Sequence, residues 1–358
     1  MARKFSRRDF LKLASLSISA AAFRTLSPTD LLLPQPLTSL GRITLKQARV
    51  LNRPHRLGES IGYKGQDEIL TVYRAVVGEG FYPHNHVWIE IPEGFVYSSW
   101  VQPVKNEPQT PLTALPADSF YGEISVPFTE ARAQPDPDAE IAYRMYYSVV
   151  LKVSSIRTGA DGAIWYEVDD ENLNPSERYW VTGQHLRLIT PEEVTPISPD
   201  VTDKRIVANI QTHWLSAYEG KAEVFRTRFA SGATFFEPDG SKRAAITPGG
   251  VHPIWSKRIS RHMEGGTPTN GYDVPGVGWV SYWHSNGAAI HSTYWHNDYG
   301  RPRSHGCLNC SPTAAKWLFR WTMPVVAYSP GNIEVTWPGG TRVEIEGTPP
   351  PLADDAGG

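Results

Sequence analysis

Residues Ile290 to Pro312 read IHSTYWHNDYGRPRSHGCLNCSP, and this stretch decides how the rest of the chain is read. It holds both cysteines of the protein, Cys307 and Cys310, together with His291, His296 and His305. Glycines and prolines interrupt it, so it reads as a loop between a strand and a helix. The run Gly287–Ala288–Ala289–Ile290 supplies the strand and delivers His291 at its end. Ser311 as N-cap and Pro312 at the first helical position announce the helix. Ala314, Ala315, Trp317, Leu318 and Trp321 give that helix one apolar face. A thiol and an imidazole on a loop between rigid elements is a common way to present a nucleophile.

Working outward, the 358 residues exceed one ordinary core, so two or three domains are expected. Thirty Gly and 30 Pro, with 12 Trp and 16 Tyr, favour short strands and turns over long helices. The fold class expected is mainly β. At the N-terminus, Arg3, Lys4, Arg7 and Arg8 precede a mildly apolar run from Leu13 to Phe23 that is too short to span a bilayer. Ser6–Arg7–Arg8–Asp9–Phe10–Leu11–Lys12 matches the twin-arginine export pattern, so residues 1–23 read as an export signal and the expected location is extracytoplasmic, cell wall or periplasm. The formal charge is −2; without the signal's five cations and one anion it becomes −6. A mildly acidic chain with no basic block argues against nucleic acid as partner.

Residues 24–48, with Pro28, Pro34 and Pro36, read as a linker, and 49–104 as a β module resembling a bacterial SH3-like barrel. Residues 105–140, ending in Gln134–Pro135–Asp136–Pro137–Asp138, read as a Pro-rich linker or long loop. A second β module is expected over 141–190, where Trp165–Tyr166–Glu167–Val168 echoes Trp88–Ile89–Glu90–Ile91. The last domain is expected over 203–346, with a disordered tail from 347 to 358.

A cysteine is a nucleophile only as thiolate and needs a base and a cationic or dipolar neighbourhood. His291 is sixteen residues before Cys307, a loop long enough to fold back onto the sulfur. The following helix start is expected to favour thiolate modestly. Gly306 lets the backbone approach a carbonyl, where amide N–H groups could hold an oxyanion.

Ser304–His305–Gly306–Cys307–Leu308–Asn309, with Ile290–His291–Ser292 upstream, resembles the signature of L,D-transpeptidases with a YkuD-type catalytic domain. The resemblance extends from about 203 to 346 and takes in Arg205–Ile206–Val207, Gln211 to Lys221, Ser231–Gly232, Thr247–Pro248–Gly249–Gly250, Lys257 and Tyr272 to Val277. It implies a YkuD-type β-sandwich with a short helix after the catalytic loop. Cys307 is then the nucleophile and His291 its base, oriented by the Ser292 carbonyl, with Gly306 and Cys307 amides as oxyanion hole. Ser304, His305, Asn309 and Tyr282 would shape the substrate pocket. The partner implied is a peptidoglycan stem peptide, cross-linked 3→3 through a thioester, with no metal or organic cofactor and a monomeric enzyme. With water as acceptor the same site would be a carboxypeptidase; a wall-anchoring transferase and a non-catalytic wall-binding protein are the other readings.

Cys310 departs from the pattern by creating a C-x-x-C. It reads as a small buried residue, as partner of Cys307 in a reversible inhibitory disulfide, or as part of a zinc shell with the three histidines. Trp279, Trp283 and Trp295 read as core or as a sugar platform. His84 and His86 read as a solvated hairpin loop.

Overall fold

The computed structural model describes residues 39–174, 177–236, 239–267, 270–336 and 338–348. The expected export signal, residues 24–38 of the expected linker and the tail from 349 lie outside them. The described chain is mainly β, with a single α-helix among the described residues.

The first β module begins earlier than the sequence suggested, at Ser39 rather than 49. Strand Ser39–Ile43 lies between Ile69–Val72 and Val101–Val104, antiparallel to both. Its alternation is obscured by Gly41 and Arg42, yet Gly41 is what fits: a Cβ there would stand 2.4 Å from Val101 Cγ1. The second sheet runs Ser60–Gly65, Gln47–Leu51, Gly94–Tyr97, Asn85–Ile91, Arg74–Tyr82. These sheets, of three and five strands, enclose Ile43, Val50, Leu70, Ile91, Val96 and Val101 without closing into one barrel.

The stretch expected as a Pro-rich linker over 105–140 contains two strands, Phe120–Ile124 and Phe128–Arg132. They belong to one seven-stranded antiparallel sheet with Ile141–Tyr146, Val150–Thr158, Ile164–Val168, Trp180–Thr182 and Leu186–Leu188. Phe120, Ile124 and Ala131 are buried in its core with Leu151, Val153, Tyr166 and Val181. Tertiary burial overrides the proline- and acid-rich composition that suggested a loop.

The C-terminal part comprises β1 (Lys204–Asn209), β2 (Trp214–Glu219), β3 (Ala222–Arg228), β4 (Thr234–Phe236), β5 (Lys242–Ala244), β6 (Gly250–Pro253), β7 (Ser256–Gly265), β8 (Tyr272–Tyr282), β9 (Ala289–Ser292), β10 (Leu308–Cys310), α1 (Pro312–Trp321), β11 (Asn332–Glu334) and β12 (Arg342–Glu346). One sheet is ordered β3-β2-β1-β12-β6 and the other β10-β9-β8-β7-β11, while β4 and β5 pair as a separate hairpin. The pairs β1·β12 and β9·β10 are parallel. Ile206, Leu215, Phe229, Ile259, Trp279, Ile290, Leu308 and Leu318 form the shared core.

Helix α1 starts where the sequence places it. Ser311 Oγ accepts from the Ala314 N–H, and Pro312 needs no donor partner at the first position. Its C-terminal carbonyls meet two lysines. Lys257 Nζ donates to the carbonyls of Phe319 (2.6 Å), Thr322 (2.7 Å) and Pro324 (2.8 Å), and Lys204 Nζ donates to that of Trp321 (2.8 Å). These ammonium groups occupy the negative end of the helix dipole, which offsets part of the cost of burying them.

The second module packs directly on β8. Gly276 has φ +65°, and a Cβ there would sit 2.4 Å from Val149 Cγ1; at Gly278 it would sit 2.6 Å from Val150 Cγ2. A polar bridge crosses the same junction: His262 on β7 pairs with Asp170 Oδ2 (2.8 Å) and Asp273 Oδ1 (2.5 Å).

Candidate active site

Strand β9 carries His291 just before its last residue, Ser292, and β10 lies beside it in parallel, with Ile290 opposite Leu308 and His291 opposite Asn309. Cys307 lies on the turn that enters β10, and its Sγ meets the N–H of Ala289, two residues before His291 on β9.

His291 is buried, and its Nδ1–H donates to the Ser292 carbonyl at 2.8 Å. This fixes the tautomer and leaves Nε2 with the lone pair. Burial pushes the imidazole down to about 4, with the Ser292 carbonyl opposing the shift. Cys307 Sγ accepts from the Ala289 N–H at 3.4 Å and lies 4.0 Å from the Gly287 carbonyl. Burial pushes this thiol up to about 11. Burial thus opposes the modest lowering expected from the helix start. Strand β10 separates Cys307 from the first turn of α1 by about 10 Å at some 3.3 Å per residue, beyond the reach of the dipole's end. Both shifts run in the direction that favours a neutral thiol and a neutral imidazole.

The turn before Cys307 is held from behind. Ser304 is buried; its Oγ donates to the Cys307 carbonyl (2.6 Å) and accepts from the Gly306 N–H (3.2 Å). The Gly306 amide, expected to face an oxyanion, is occupied by this contact. Gly306 adopts φ +118°, a region that glycine alone enters cheaply. Asn309, expected at the substrate pocket, is buried as well. Its backbone exchanges two 2.9 Å bonds with Ala230, and its amide meets His296 Nε2 at 3.1 Å. His296 is itself buried, accepts from the Asp298 N–H at Nδ1 (3.2 Å), and is pushed down to about 3 by burial.

His305 and Tyr282 remain half-exposed on the open side. His305 stacks on Phe235 of β4 at 4.1 Å, and its Nε2–H donates to the Asn270 carbonyl (3.0 Å). The phenols of Tyr272 and Tyr282 are raised chiefly by burial. Tyr272 was legible in sequence only as part of the longer resemblance.

Cys310 faces the other way. Three residues along an extended chain invert the side-chain direction, and Cys310, fully buried, packs with Leu308 and Trp279 in the sandwich core. Both cysteines are free thiols. A Cys307–Cys310 disulfide needs side chains that converge, so the geometry argues against the redox-switch reading and for the small buried residue. Among the described residues no cluster of three or more His, Cys, Asp or Glu could hold a metal ion, which leaves the zinc shell without support.

Trp279 and Trp283 are buried core, not a sugar platform, while Trp295 lies half-buried with its ring 5.9 Å from that of His291. His84, expected in a solvated loop, instead pairs through Nε2 with Asp298 Oδ1 at 3.0 Å. Arg42 and Asp298 were missed altogether. Their contacts across to the other part of the chain, Arg42 with Tyr294 and Asp298 with His84, span more than 200 residues, so no local pattern marks those.

The site thus offers a free thiol on the turn that enters β10 and, on the neighbouring strand β9, a buried imidazole whose tautomer the Ser292 carbonyl fixes. Residues 203–345 match the YkuD family model, the L,D-transpeptidase catalytic domain. Similar solved structures include an Enterococcus faecium L,D-transpeptidase (22% identity over 41% of this chain and 50% of that one, TM-score 0.30). Others are an L,D-transpeptidase from Xylanimonas cellulosilytica (26%, 42% and 63%, TM-score 0.29) and one from Mycobacterium smegmatis (16%, 55% and 98%, TM-score 0.31). The chain thus spans half the length of the Enterococcus chain. No match was found among curated proteins.

Proposed function

We propose that this protein is an exported peptidoglycan L,D-transpeptidase that works through a thioester on Cys307. The observation that supports the reading most is the contact of Cys307 Sγ with the Ala289 N–H of β9, two residues before His291, whose Nδ1 is tied to the Ser292 carbonyl. The match of residues 203–345 to the catalytic-domain family supplies the reaction class.

His291 Nε2 takes the thiol proton as Sγ attacks the carbonyl of the third stem residue. Because the thiol sits high and the imidazole low, proton transfer accompanies attack rather than preceding it. The Cys307 N–H, with Gly306 held by Ser304, stabilises the oxyanion. The tetrahedral adduct then collapses, the peptide C–N bond breaks, and His291-H⁺ returns the proton to the departing D-Ala amine. A diamino-acid amine of a second stem attacks the thioester, gives its proton to His291, and releases Cys307 as thiol. The product is a 3→3 cross-link. No cofactor takes part in these steps. Residues 1–23 direct the chain through the twin-arginine route.

The test is product analysis with disaccharide-tetrapeptide as sole substrate. Expected products are D-Ala and a 3→3 dimer, both absent with Cys307→Ala. Tripeptide without dimer reassigns the enzyme to hydrolysis, and dimer formation by Cys307→Ala rules out the mechanism.

A further inference from the structure

The loop joining His291 to Cys307 is gripped by the first β module, far away in sequence. Arg42 Nη2–H donates to the Tyr294 carbonyl at 2.6 Å. Asn297 Nδ2 donates to the carbonyls of Ser98 (3.2 Å) and Val101 (2.9 Å). His84 pairs with Asp298 at 3.0 Å, both side chains less than a tenth exposed. The Arg301 guanidinium lies 4.1 Å from the Tyr82 ring centre. At Gly300, φ +120°, a Cβ would stand 2.7 Å from His84 Cδ2, so the loop backbone approaches the module as closely as a glycine allows.

Arg42 is itself fixed. Its Nε and Nη2 donate to Gln102 Oε1 (3.0 and 2.7 Å), its Nη1 donates to Asp67 Oδ1 (2.7 Å), and its guanidinium covers the Tyr146 ring of the second module at 4.0 Å. A planar donor set with every partner rigid is suited to positioning a backbone carbonyl.

We propose that the first β module is a positioning device for the catalytic loop, with Arg42 and His84 as the positioning residues that set His291 against Cys307. This rests on the acyl-transfer reading for its catalytic consequence, but not for the clamp itself. Released at its middle, the loop would let its two ends drift. Displacement of reacting groups by about 1 Å can lower a rate by some 10²-fold. The module thus acts on the chemical step rather than on substrate affinity.

The test uses the full chain with Arg42→Gln, with Arg42→Lys as the conservative rescue. His84→Gln serves as the independent variant should Arg42→Gln fail to fold. Amide hydrogen exchange over residues 293–303 reads the clamp without substrate, and single-turnover acylation by disaccharide-tetrapeptide reads its consequence. Expected are exchange faster by about 10-fold or more in this loop, and an acylation rate lowered about 10- to 100-fold with KM within about 3-fold. Arg42→Lys should recover part of the rate. Native loop exchange in the folded variants overturns the clamp, and faster exchange with native acylation overturns its catalytic role. A wild-type chain that never acylates fails the acyl-transfer reading instead, and the exchange result still decides the clamp.

Discussion

Alkylation of Cys307 by iodoacetamide should be slow at neutral pH and climb steadily with pH. Burial pushes this thiol up to about 11, against an ordinary value near 8.5. At pH 8 the thiolate fraction is then about 0.1%, compared with about a quarter for an ordinary cysteine. The difference is roughly 200-fold. A more basic thiolate is also the better nucleophile, and a Brønsted slope of about 0.4 over some 2.5 units returns about 10-fold. The net expectation is alkylation about 20-fold slower than a free cysteine at pH 8, rising about tenfold per pH unit between pH 7 and 10. Peptide mapping separates the two thiols; Cys310, fully buried, should stay unmodified in the native chain. Cys310→Ser should leave the Cys307 profile unchanged. A rate independent of pH between 6 and 8 would refute the reasoning, because it would mean a preformed thiolate–imidazolium pair.

Burial pushes His291, the proposed base, down to about 4, so kcat/KM should be flat from about pH 5 to 8 on its acid side and fall tenfold per unit below about pH 4; a limb centred near 6.5 would contradict this. The same burial has a stability consequence. His213, His291 and His296 are all depressed in the folded chain, so between pH 6.5 and about 4 the unfolded chain binds more protons and stability falls as pH falls, by up to about 3 kcal/mol per histidine, readable by urea unfolding at pH 7 and 4.5. Lys257→Met strips three carbonyls near the end of α1 of their donor and should lower stability by about 2–4 kcal/mol in the same assay. Gly276→Ala combines a positive φ with overlap on Val149 and Leu151 and should cost about 1–3 kcal/mol, seen as a lowered Tm.

Local chemistry made the centre of the molecule legible. Strand β9, the Ser311 cap and helix α1 follow from short-range rules, and the histidine-to-cysteine loop lies between them. The mainly β class followed from glycine, proline and aromatic content. What stayed hidden depends on distant partners. Phe120–Ile124 and Phe128–Arg132 sit among prolines and acids and become strands only by pairing with Val150–Thr158 and Ile141–Tyr146. Strand β12 runs in parallel beside β1 and antiparallel to β6 inside its sheet, a placement no local pattern encodes. The spacing around Cys307 was hidden for a similar reason: the sequence shows a helix start nearby, but not the three-residue strand between it and the sulfur.

The most direct measurement is intact-protein mass spectrometry of the wild type and Cys307→Ala after incubation with disaccharide-tetrapeptide. Acyl transfer through Cys307 requires an adduct equal to the donor minus D-Ala, mapped to Cys307 and lost in the variant. An unmodified wild type with both thiols reduced, or an adduct that persists in Cys307→Ala, would contradict it.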